Sequence, residues 1–151
     1  MSDEVTAFAP ASIGNVGVGF DMLGLALAGG AGDRVIATRS ETPGISVAEV
    51  RGLDGEIHPY LSSDPKENTA SIAAQALWDA AGATGGAALK VHKGVPLQSG
   101  MGSSAASAVA AVVAVNALLD KPLGQLELLP YALEGEKYAS GGLHADNVAP
   151  S

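Results

Sequence analysis

The chain has 151 residues, of which 47% are hydrophobic and 16% charged, with a net charge of −8 and no cysteine. This is enough for one domain with a hydrophobic core, and too apolar for a disordered chain. Eight Lys plus Arg exclude the basic face of a nucleic-acid binder or of a protein held on an anionic membrane, and the missing cysteines exclude a disulfide scaffold, a thiolate zinc site and a cysteine nucleophile. The composition fits the cytoplasm. The start, Met1-Ser2-Asp3-Glu4, is acidic rather than a basic lead into an apolar signal segment. The longest apolar stretch, 105–119, is interrupted by Ser107 and Asn116. It is too short to span a bilayer and reads as a buried helix.

In chain order, residues 5–9 predict a short strand ending at Pro10. A Gly-rich loop at 14–19 leads into an apolar run over 22–28. Residues 34–39 alternate and predict a second strand, with 45–50 as its hairpin partner across Thr42-Pro43-Gly44. Residues 51–66 are polar and rich in turn formers. Asn68 and Thr69 are N-cap candidates for a helix reaching about Ala81 and stopped by Gly82. Residues 87–92 predict a strand, and 94–102 a second Gly-rich loop. Ser103 or Ser104 is expected to cap the long apolar helix that ends near Leu119. A last helix is expected over 126–139, after the break at Asp120-Lys121-Pro122. Strands first and helices later predict an α+β layer, an antiparallel or mixed sheet with helices on one face. His144-Ala145-Asp146-Asn147 is a polar cluster with no element after it to pack against, which leads us to expect a truncated chain.

The strongest local signal is Pro96-Leu97-Gln98-Ser99-Gly100-Met101-Gly102-Ser103-Ser104-Ala105-Ala106. A strand leads in and a helix leads out. Glycines let the backbone approach a ligand, and free N–H groups at a helix start attract anions. The serines add hydroxyls, one of which could reach a phosphate-bound metal ion. A Gly-rich turn capped by serine explains the same residues without a ligand. No Gly-Lys-Ser/Thr follows, so this is not a Walker loop, and the spacing is not that of a dinucleotide fingerprint. Lys90 and Lys93 are the nearest basic residues in sequence. Phosphate charge would therefore fall largely to backbone N–H groups and a divalent cation.

In the last helix, Leu126, Leu129, Leu133 and Glu136 recur at steps of three and four and share a face. Glu136 thus lies on the stripe expected to meet the core, where a carboxylate needs a cation or strong donors. A Mg²⁺ shared with ATP phosphates would serve. Reaching out to water, or pairing with a lysine, would serve as well. Glu134 points the other way, towards solvent, and Pro130 leaves the helix start open. In the first Gly-rich loop, Asn15 and Asp21 sit in a permissive backbone. Asp21 there could take an ammonium group, or form an Asx turn. His144 and Asn147 could hydrogen-bond a small polar ligand, or be merely exposed. His58 and His92 read as structural, because no two histidines have metal-ligand spacing.

Together these motifs resemble the GHMP kinases, the superfamily of galactokinase, homoserine kinase, mevalonate kinase and phosphomevalonate kinase. The 96–105 loop matches that superfamily's ATP signature, with Met101 where Leu is usual. Ala9-Pro10-Ala11-Ser12 with Asn15, Gly19-Phe20-Asp21, Leu23-Gly24-Leu25-Ala26-Leu27 and His144-Ala145-Asp146-Asn147-Val148-Ala149-Pro150 resemble the homoserine kinases in particular. Val18 stands where many relatives have proline.

The resemblance implies an N-terminal GHMP kinase domain over 1–151, of the ribosomal-protein-S5 domain 2 type. Its sheet would be mixed, with a left-handed crossover and helices on one face, and the C-terminal domain would be absent. It implies transfer of the γ-phosphoryl of ATP to L-homoserine, in threonine biosynthesis. Asn15, Asp21, His144 and Asn147 would line the substrate pocket, with Asp21 at the ammonium group. Pro96, Leu97, Gln98, Ser99, Gly100, Met101, Gly102, Ser103, Ser104, Ala105 and Ala106 would wrap the phosphates, and Asn68 would lie near the base. Ser104 and Glu136 would hold Mg²⁺. Many relatives place an Asp near the reacting hydroxyl. Asn147 occupies that region here, so catalysis would rest on positioning and charge neutralisation rather than a strong base. A homodimer is compatible with this reading. The alternatives are another GHMP kinase, such as one acting on mevalonate, and an inactive nucleotide-binding fragment.

Overall fold

The structure, a computed structural model, describes residues 3–17, 22–141 and 145–151. In chain order its elements are β1 Glu4–Pro10, β2 Ser12–Ile13, β3 Leu25–Ala26, β4 Gly32–Ser40, β5 Gly44–Arg51, α1 Thr69–Ala80, β6 Gly86–His92, α2 Ser103–Asn116, a 3₁₀ turn Gln125–Leu128, α3 Leu129–Ser140 and α4 Ala145–Val148. The four long strands form one sheet in the order β1-β4-β6-β5, and β2 pairs with β3 in a separate ribbon. The sheet is mixed: β1–β4 and β4–β6 are antiparallel, and β5–β6 is parallel. The α+β architecture with a mixed sheet is thus as expected.

Side-chain alternation decides which face of the sheet is covered. Ala7 and Ala9 of β1, Val35 and Ala37 of β4, and Leu89 and Val91 of β6 are buried against α1 and α2. Intervening residues such as Phe8, Arg34 and Lys90 are exposed. Helix α2 meets neighbours on nearly every side. Its Ala105, Ala106, Ala108, Ala110, Ala111 and Ala114 are fully buried, and these small side chains let the sheet, α1 and α3 come close. Helix α3 packs on α1 and α2 rather than on the sheet. Among the described residues, no helix is long and apolar enough to cross a membrane.

Three local expectations are corrected. Strands β4 and β5 are not hairpin partners, because β6 inserts between them; Ser40 and Gly44 both pair with Gly86. The short turn between β4 and β5 suggested a hairpin, yet α1 carries the chain over to place β6 in the gap. Neither Ser103 nor Ser104 caps α2. The cap position is Gly102, with left-handed φ 64° and ψ 36° and no side-chain cap bond, whereas a capping serine needs extended backbone there. The stripe of α3 is also shifted. Leu126 belongs to the 3₁₀ turn and is 88% exposed, so the helical phase begins only at Leu129. The buried positions are Leu128, Ala132, Gly135 and Glu136. Ala145-Asp146-Asn147 of the polar cluster lies in α4, which packs against the earlier elements α2, α3 and β2.

Candidate active site

The chain leaves the sheet after His92, runs through the second Gly-rich loop and enters α2 at Ser103. Residues 96–100 are exposed, and 101–104 are partly buried. Left-handed φ recurs at every second position, with Gln98 at 56°, Gly100 at 72° and Gly102 at 64°. Left-handed residues alternating with right-handed ones are a feature of anion-binding nests. The first turn of α2 adds the positive end of a 14-residue helix that no side chain caps. Ala105 and Ala106 face the core, and the Ala106 N–H already donates to Gly102 O at 2.9 Å.

Other elements converge on this helix start. Ser104 Oγ donates to Glu136 Oε2 of α3 at 2.7 Å. Glu136 is 6% exposed and its neighbour Glu134 is exposed, which matches the expected inward and outward directions. Ser12, fully buried, presents its N–H to Met101 O at 3.1 Å. Its hydroxyl lies 2.9 Å from Asn147 O and 3.2 Å from Asn147 Oδ1. A Cβ built on Gly102 would fall 2.4 Å from Ser12 Oγ and 3.1 Å from Asn147 Oδ1. The second Gly-rich loop, β2 and α4 therefore meet at one point. Asn15, with left-handed φ 55°, donates its N–H to Asp146 Oδ2 at 3.0 Å.

Asn68 lies elsewhere, at the start of α1. Its side chain accepts from Ala70 N–H and donates to Ser62 O, both at 3.0 Å. It is thus the N-cap expected from sequence, and its amide is engaged with the protein. Asp21 and His144 lie outside the described residues.

Sequence reasoning missed Asp33, Ser12 and Asp146. Asp33 carried a readable signal: it shares inward parity with Val35 and Ala37 on β4. A carboxylate there must be paired. It is fully buried and forms an ion pair with Lys93, itself 8% exposed. Burial pushes the Lys93 ammonium below its ordinary pKa, and the adjacent Asp33 carboxylate works in the opposite direction. Lys93 Nζ also donates to Ser103 O at 2.8 Å and Ser107 Oγ at 2.7 Å. Lys93 is therefore fully engaged beneath the loop, and Lys90 is exposed on β6.

Residues 68–151 match the family model described as the GHMP kinases N terminal domain. A homoserine kinase of Xanthomonas campestris pv. campestris is 46% identical over 147 residues, covering 97% of this chain and 44% of that protein. A crystal structure of homoserine kinase from Cytophaga hutchinsonii superposes with a TM-score of 0.89 at 43% identity, over 99% of this chain and 46% of that one. A mevalonate kinase structure from Staphylococcus aureus shares the fold, with a TM-score of 0.69 at 21% identity. The chain spans less than half the length of the homoserine kinases it matches.

Proposed function

The chain belongs to the GHMP kinases, as their N-terminal domain, and we propose that it is the ATP-binding half of an enzyme that phosphorylates L-homoserine to O-phospho-L-homoserine. The observation that carries this reading is the meeting of Gly102 with Ser12 and Asn147. It sets the residue proposed for the reacting hydroxyl beside the proposed phosphate cradle. The similarity to homoserine kinases over 97% of the chain favours this substrate over mevalonate.

In this reading, the N–H groups of 98–104 and the α2 N-terminus receive the ATP phosphates. They are already oriented, so little reorganisation is needed as charge moves. Ser104 and Glu136 fit a Mg²⁺ ion, because both offer oxygen, the donor that a hard cation prefers. The ion would neutralise phosphate charge; Mg²⁺ commonly takes one or two protein ligands, with phosphate and water completing the set. Asn147, tethered by Ser12, orients the substrate hydroxyl in line with the γ-phosphoryl. An amide is a poor base, so the rate would come from alignment and charge neutralisation. Asn15, Asp21 and His144 complete the substrate side, with Asp21 at the ammonium group, and Asn68 stands towards the base. The location proposed is the cytoplasm.

The test is a coupled kinase assay on the protein extended to the length of its relatives. ATP turnover is expected with L-homoserine and not with mevalonate. Turnover with mevalonate alone would overturn the substrate assignment.

A further inference from the structure

Asp33 and Lys93 form a fully satisfied buried network at the base of the phosphate loop. Asp33 Oδ1 accepts the N–H groups of Gly94 at 2.9 Å and Val95 at 3.2 Å, where the chain enters the loop. Asp33 Oδ2 accepts the Ser107 hydroxyl at 2.5 Å, one turn into α2, and pairs with Lys93. The remaining Lys93 donors reach Ser103 O and Ser107 Oγ, where the chain leaves the loop. Ser103 Oγ closes the ring onto Val95 O at 3.1 Å.

A buried ion pair is a poor means of gaining stability, because well-packed apolar residues often do as well or better. What a satisfied network supplies is a unique arrangement. This one ties the two ends of the loop to each other and to β4, and it makes no hydrogen bond to a residue of 96–102. We propose that Asp33 and Lys93 are positioning residues, a buried clamp that fixes both ends of the phosphate loop and thereby holds its nest in the shape that binds nucleotide. The proposal rests on the reading of 96–104 as a phosphate cradle. It also means that Lys93 serves the nucleotide through the loop backbone and not by direct contact.

The experiment measures affinity for a fluorescent ATP analogue, together with melting temperature, in the protein extended to the length of its relatives. Homoserine is absent, so the outcome is independent of the substrate assignment. Wild-type protein that fails to bind the analogue would sink the cradle reading itself. Three changes are compared: Asp33→Asn, Ser107→Ala, and the volume-conserving pair Asp33→Leu with Lys93→Met. Val50→Ala on β5 is the control for simple loss of stability. All three should weaken the analogue, the pair by about tenfold or more, the equivalent of one charged hydrogen bond. The control should melt lower and bind normally. Normal affinity in the folded pair, or in Ser107→Ala if the pair does not fold, overturns the clamp. So does tighter binding by Asp33→Asn, since freeing Lys93 would then have released it to touch the phosphates.

Discussion

Ser104 of α2 and Glu136 of α3 are joined by a 2.7 Å hydrogen bond at the head of the phosphate-loop helix, although 32 positions separate them in sequence. The bond places a buried carboxylate at the start of α2, beside the proposed phosphate cradle. If the pair holds Mg²⁺, Glu136→Gln should weaken ATP binding in the presence of Mg²⁺ and leave metal-free binding nearly unchanged. Loss of even an outer-shell partner costs about 10–100-fold in metal affinity, so at least about tenfold is expected here. Glu134→Gln, on the exposed side of the same helix, should change neither. Equal effects at 134 and 136 in a Mg²⁺ titration would show that the carboxylate has no part in metal binding.

Gly135 controls how closely α3 can bring Glu136 to Ser104. A Cβ there would fall 2.5 Å from Thr69 O, 3.0 Å from Ala73 Cβ and 3.1 Å from Ala108 Cβ. One methyl group would therefore wedge α3 away from both α1 and α2. Overpacking of this kind costs about 1–3 kcal/mol. Gly135→Ala should lower the melting temperature and also weaken Mg²⁺–ATP binding, because the carboxylate moves with its helix. A stable variant with full affinity would mean that α3 approaches less closely than described.

Much of this frame is legible in local sequence. Asn68 followed by Thr69 signals the start of α1, because an Asx side chain reaches the N–H two residues on, and that bond is present at 3.0 Å. The inward parity of Val35 and Ala37 gives the buried face of β4. What stays hidden depends on distant partners. The insertion of β6 between β4 and β5 follows from a crossover through α1, and a short turn cannot announce it. The cap of α2 is hidden from local sequence because the serines are chemically suited to capping, while the left-handed Gly102 leaves the helix start open. The ion pair of Asp33 with Lys93 joins residues 60 apart. Only the inward parity of Asp33 hints at it.

Asn68 separates a structural role from a nucleotide role. Its amide is engaged at both ends by α1 and Ser62, so Asn68→Ala should cost about 1 kcal/mol as a lost cap. Thermal unfolding should register this as a fall of about 2–4 °C. Asn68→Asp keeps the acceptor and should recover most of the stability. ATP affinity that falls in both variants would support a contact with the base, and affinity that tracks stability alone would confine Asn68 to capping.

Gly102 has a left-handed backbone, and its missing side chain leaves room for Ser12 and Asn147. Gly102→Ala meets both obstacles at once. Left-handed φ costs an L-residue about 1–2 kcal/mol, and the new methyl would overlap the Ser12 hydroxyl. The loop must shift, and with it the N–H groups of the nest. An ATP-analogue titration should show at least about a tenfold loss, the equivalent of one misplaced charged hydrogen bond. Unchanged affinity would remove the support for 98–104 as a phosphate cradle.

Ser12 tests whether Asn147 acts by position. The Ser12 hydroxyl lies within hydrogen-bonding distance of both oxygens of Asn147 and is fully buried, with its own backbone held by Met101. It therefore tethers α4 to the end of the phosphate loop. Ser12→Ala removes that tether and leaves the Asn147 amide chemically intact. Misplacement by about 1 Å can cost about 10²-fold in rate, so kcat with L-homoserine should fall by roughly tenfold or more, while ATP affinity stays near wild type. Asn147→Ala should show the same pattern with a larger fall. Asn147→Asp supplies a true base at the same place. If alignment and charge neutralisation govern the step, this carboxylate should slow the reaction, because it sets a negative charge beside an already anionic γ-phosphate. A faster Asn147→Asp enzyme, or a Ser12→Ala enzyme with unaltered kcat, would show that proton removal and not placement limits the reaction.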